Sequence, residues 1–104
     1  MAAAAVELQE TAQGKYAARG PLTFATARQA RDLGLAALKA TGASQLEVDC
    51  SGIASADSAG MTVLLDWLAF AKRTNRSLRF ANLPEQVQAI ARISDVLELL
   101  EKGV

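Results

Sequence analysis

Apolar residues recur along the chain with two different periods, and the switches between them lay out the elements. Ala30, Leu33, Ala37 and Leu38 repeat at helical spacing, and Gly42 supplies a stop. Thr26 and Gln29 stand three apart, the spacing of a capping box at the start of that helix. Residues 46–50 alternate as a strand does, and 51–56 read as a short loop. A second helix is predicted from about 58 to 75, with Met61, Leu64, Leu65 and Leu68 as its core stripe. Leu78, Arg79 and Phe80 read as another strand. Pro84 suits the first position of a third helix, whose buried side is Val87, Ile90 and Ala91. An amphipathic segment over 96–100 closes the chain.

The first residues carry less pattern. Glu7-Leu8-Gln9 and Lys15-Tyr16-Ala17-Ala18 can pair as weak strands across Ala12-Gln13-Gly14, and Gly20-Pro21 marks a turn before Leu22-Thr23-Phe24. Helices alternating with strands predict an α/β sheet covered by helices, and the hairpin-like start makes the sheet mixed. A chain of 104 residues holds one such domain, 1–104, with 1–20 its least defined part.

Composition narrows the function. Lys plus Arg and Asp plus Glu are 11 each, so general attraction to nucleic acid or an anionic membrane has little support. Histidine is absent, which removes the commonest general base near neutral pH and the commonest metal ligand. The lone Cys50 excludes an intrachain disulfide and reads as a small buried hydrophobe. Residues 1–7 lack a basic flank and a long apolar run, so no signal peptide is expected. The apolar stretch 61–71 is too short to span a bilayer, and a cytoplasmic domain without membrane insertion is expected. No catalytic residue, cofactor or metal site is expected: neither a phosphate-binding loop nor a nucleophile elbow is present.

Two features carry the functional reading. Asp57-Ser58-Ala59-Gly60 follows a strand and loop and opens the second helix, where free N–H groups can take a cap or an anion. Asp57 or Ser58 as a plain N-cap accounts for one of the two, leaving a second polar group free. Gly60 inside the helix costs about 1 kcal/mol against alanine unless backbone or a partner approaches closely. Beside the core stripe, Val63, Trp67 and Phe70 widen the apolar arc to about half the circumference. Trp67 is expected in the core, whereas Val63 and Phe70 border polar Thr62, Asp66 and Arg73 and would give an exposed apolar edge. Asp49 and Asp57 could converge as a carboxylate pair, though capping and solvation explain them equally well; Lys72, Arg73, Arg76 and Arg79 read as a solvated face, with an acidic-partner contact the lesser option.

Asp49-Cys50-Ser51-Gly52-Ile53, followed by Ala56-Asp57-Ser58-Ala59-Gly60-Met61, resembles the signature of STAS domains. These occur in bacterial anti-sigma-factor antagonists, in the tails of sulfate transporters and in a subunit of the Mla lipid-asymmetry system. The resemblance runs from about residue 22 to 100. It implies a STAS-type mixed sheet of about four to five strands covered by about four helices, and a non-catalytic protein that works by docking. In antagonists, the serine matching Ser58 is phosphorylated by the anti-sigma kinase and binding is lost. In the Mla branch, the residue at this position lies against the ATPase of a phospholipid ABC transporter within an inner-membrane permease complex. Leu64-Leu65-Asp66-Trp67-Leu68 and the run 78–86 look like the Mla subunit; Ser58 suits both branches. The expected contact set is Asp57, Ser58, Ala59, Gly60, Thr62, Val63 and Phe70, with Ser58 as the possible phosphorylation site.

Overall fold

The computed structural model describes residues 5–104. Of residues 1–7, from which the lack of a leader was read, the first four lie outside the described part. In chain order the elements are β1 Glu7–Ala12, β2 Lys15–Leu22, α1 Ala27–Ala40, β3 Gln45–Ala56, α2 Ser58–Arg73, β4 Ser77–Ala81, α3 Glu85–Ile93 and α4 Leu97–Lys102. The strands form one sheet in the order β1-β2-β3-β4. β1 and β2 are an antiparallel hairpin, while β2–β3 and β3–β4 are parallel, so the sheet is mixed as the sequence predicts. Gly14 makes the hairpin turn with φ +77°, a conformation open to glycine at little cost.

One face of the sheet is covered and the other is not. Tyr16, Ala18, Leu46, Val48, Cys50, Leu78 and Phe80 are buried, and the residues between them are exposed or half-buried, as a period of two requires. On the open face Lys15 aligns with Glu47, and Glu47 with Arg79, so opposite charges alternate across three strands. On the covered face α2 is the central helix: it touches α1, α3 and strands β2, β3 and β4. Met61, Val63, Leu64, Trp67, Leu68 and Ala71 of α2 join the core, with Val87 and Ala91 of α3 and Leu100 of α4.

Trp67 is 2% exposed, in the core as expected, and α1 makes room for it with a glycine. A methyl group on Gly34 would stand 2.1 Å from two atoms of the indole ring. Trp67 Nε1 donates toward the Arg31 carbonyl, 3.4 Å away, so the polar edge of the ring is not stranded. Arg76 donates to the Leu38 carbonyl and is thereby drawn out of the solvated basic face expected of it.

Several local readings need correction. Residues 51–56 are not a loop: β3 continues to Ala56 because β2 pairs with it along that length, with register shifts at Ala17/Arg19 and Gly20/Pro21. The same pairing carries β2 on through Gly20-Pro21, with the register shift there in place of the expected turn. Ser, Gly and Ala are weak strand formers, so here the neighbour, not propensity, makes the strand. Thr26 does precede α1, yet its hydroxyl does not cap the helix. It donates to the Pro21 carbonyl at 2.7 Å and accepts from the Thr23 N–H at 3.0 Å, tying down the loop before the helix.

Candidate functional site

The start of α2 is held by one carboxylate with two partners. Asp57 is the N-cap: its Oδ1 accepts the Gly60 N–H at 3.0 Å, and its Oδ2 accepts the Phe24 N–H at 3.0 Å. The cap therefore also staples the β2–α1 connection to the helix. The Asp57 N–H donates to the Leu22 carbonyl at 3.3 Å, and Gln86 Oε1 of α3 accepts the Ala56 N–H at 2.9 Å. Three elements thus converge on this turn. The Phe24 and Gly60 N–H groups hold the Asp57 carboxyl below the usual carboxylate range.

With Asp57 occupied as the cap, Ser58 is left over. It is exposed, and its hydroxyl makes no hydrogen bond among the described residues; only its carbonyl is engaged, accepting from Thr62 Oγ1 at 2.9 Å. Phe24, Ala27, Arg28, Ala59, Thr62 and Val63 line a shallow groove beside it, closed at one side by the Arg31–Asp66 ion pair at 3.4 Å.

The expected contact residues divide into three groups. Asp57, Ser58, Ala59 and Thr62 lie together on the first turns of α2. Gly60 and Val63 are buried, which corrects the reading of both. A methyl group on Gly60 would stand 2.0 Å from the Leu22 carbonyl oxygen, so the glycine serves the packing of α2 on the end of β2 rather than the approach of a partner. Val63 is 3% exposed and forms no open apolar edge, because α1 covers that side of α2. Phe70 is half-buried between two cations, with Lys39 Nζ 6.0 Å and the Arg73 guanidinium 5.7 Å from its ring centre. Twelve residues of helix, about 18 Å, separate it from Ser58. It belongs to a different part of the surface.

Sequence reasoning missed Phe24. It is 84% exposed, and it falls between a strand and a helix, where neither period assigns it a face. Its one signal was a large aromatic among small residues, Thr23-Phe24-Ala25-Thr26.

The remaining chemistry at this end of the sheet is structural. Asp49 Oδ1 accepts from Asn82 Nδ2 at 3.0 Å and from the Ser51 N–H at 2.9 Å, and these bonds hold its carboxyl low. Burial pushes the Cys50 thiol up to about 12. A carboxylate held low is a weak proton acceptor and a thiol held high stays protonated, so neither is tuned for general-base or thiolate chemistry near pH 7.

A mixed sheet with helices on one face and a capped, exposed helix start beyond its third strand is the architecture of a STAS domain. The chain belongs to the Mlab, STAS domain family, whose family model matches residues 6–101. No curated protein matches it at the sequence level. Among solved structures it is similar to the anti-sigma factor antagonist SpoIIAA in its unphosphorylated form, with a TM-score of 0.64, 12% identity, and 85% of this chain and 82% of that one covered. It is also similar to part of the murine Solute Carrier 26 family member A9 anion transporter in the inward-facing state, with a TM-score of 0.66 and 18% identity. That likeness covers 94% of this chain and 19% of the transporter. Among the described residues, no helix is long and apolar enough to cross a membrane.

Proposed function

We propose that this chain is a non-catalytic, cytoplasmic docking subunit of an Mla-type phospholipid ABC transporter. It binds the transporter's ATPase through the first turns of α2 and supports its activity, reaching the inner membrane only through that partner. The observation that carries this reading is Ser58: an exposed hydroxyl without a partner among the described residues, on a helix start braced by β2, the β2–α1 connection and α3. Family membership supports the choice of partner.

The test is Ser58→Glu. A carboxylate at the first position of a helix complements the macrodipole, so the variant keeps or slightly gains stability. Burying that charge against a partner is costly, and affinity for the purified ATPase falls at least about tenfold, on the order of 1.4 kcal/mol or more. A folded Ser58→Glu protein that binds the ATPase as wild type does would sink this siting.

The same free hydroxyl supports a second reading, an anti-sigma-factor antagonist switched off when an anti-sigma kinase phosphorylates Ser58. Phosphorylation adds nearly two negative charges at the docking surface. Intact mass of protein from cells, before and after phosphatase, separates the two: a stoichiometric phosphate favours the switch.

A further inference from the structure

We infer that Phe24 is the apolar anchor of the docking surface, inserting into a partner socket that carries a carboxylate at its rim, and that Asp57 is the residue that positions it. The inference rests on the docking reading above and names what the partner must offer.

The ring is 84% exposed, yet the backbone beneath it is fixed. The Phe24 N–H is held by Asp57 Oδ2, and the loop on either side is tied by the buried Thr26 hydroxyl to Pro21 and Thr23. A large aromatic on a pinned main chain loses little freedom on binding, so more of its burial appears as affinity. Aromatic residues seated in pockets supply much of the energy of protein interfaces. Phe24 also shares its groove with Ala59 and Thr62, which flank Ser58 on the first turns of α2.

Charge identifies the rim of the socket. Arg28 lines the same groove, is exposed, and has no carboxylate within ion-pair distance among the described residues. Arg31 already shares its charge with Asp66 and Asp32. The positive start of α2 is matched by the ionised Asp57, whose two oxygens accept backbone N–H groups. Among the described residues, Arg28 is therefore the cation of this groove left to take a partner's carboxylate. A lipid surface is the poorer match, because binding through basic residues takes clusters of about four or more, and of the two arginines here Arg31 is already paired.

The test measures binding of the purified ATPase subunit by calorimetry at low and high salt, with wild type, Phe24→Ala, Phe24→Leu and Arg28→Glu. Phe24→Ala weakens binding at least tenfold, Phe24→Leu keeps most of it, and both unfold at the wild-type temperature because the ring touches solvent. Arg28→Glu weakens binding and flattens its salt dependence. Ser58→Glu losing affinity while Phe24→Ala stays within twofold of wild type overturns the anchor and leaves the docking reading standing. Wild type that does not bind the ATPase overturns both. Phe24-dependent binding to phosphatidylglycerol vesicles, with ATPase binding unaffected by Phe24→Ala, overturns the socket in favour of lipid.

Discussion

Replacing Gly60 with alanine distinguishes two roles for this residue. If Gly60 existed to admit a partner, Gly60→Ala would stabilise the free protein by up to about 1 kcal/mol, since alanine is the better helix former. The packing argues the reverse. The new methyl would sit 2.0 Å from the Leu22 carbonyl oxygen, where ordinary contact begins near 3.4 Å, so about 1.4 Å must be found by moving backbone. Overpacking of this kind costs about 1–3 kcal/mol. Pushing Leu22 away also strains the bond its carbonyl accepts from the Asp57 N–H, a loss of about 1 kcal/mol. Against the helix gain, the net is a loss of about 2 kcal/mol, or a fall in Tm of about 8–16 °C for a domain of this size. Far-UV circular dichroism follows the melt, and emission from the single tryptophan, Trp67, follows the core. Gly42→Ala is the control, because a methyl there meets nothing within 4 Å. A Gly60→Ala protein melting at or above wild type would refute the packing argument and return the glycine to the interface.

Other outcomes follow from the same geometry. Gly34→Ala drives a methyl into the indole ring, so it lowers stability by about 2 kcal/mol and shifts Trp67 emission, whereas an unshifted spectrum and unchanged melt would mean that the helices part without cost. Asp57 has a folded pKa below its usual value, so its contribution is complete above the unfolded pKa near 3.9 and is lost as pH falls through the folded value. Urea denaturation from pH 6 down to pH 2 therefore shows a shallower loss for Asp57→Asn than for wild type, with Asp49 supplying part of the remaining slope. Equal slopes would show that the Asp57 bonds do not distinguish its two protonation states.

How far the sequence reaches depends on the range of the force involved. The alternation of Leu46, Val48 and Cys50, the stripe Met61, Leu64 and Leu68 with Leu65 half-buried beside it, and the burial of Trp67 are local periodicities, and the fold keeps them. A cap at Asp57 or Ser58 was legible because a cap lies within three residues of the N–H it serves, and the fold gives it to Asp57. The mixed sheet followed from a hairpin signal ahead of alternating helices and strands.

Tertiary structure decided the rest, each time through a contact between residues far apart in the chain. Strand pairing with β2 turned 51–56 from expected loop into strand. Periodicity sets the width of the apolar arc on α2 but not which margin a neighbour covers. The packing of α1, admitted by Gly34, buried Val63, and two cations enclosed Phe70. The Leu22 carbonyl explains Gly60, and the second oxygen of Asp57 reaches 33 residues back to hold Phe24. No helical or strand period runs through Phe24, so only the folded chain ties it to Asp57, the residue before Ser58.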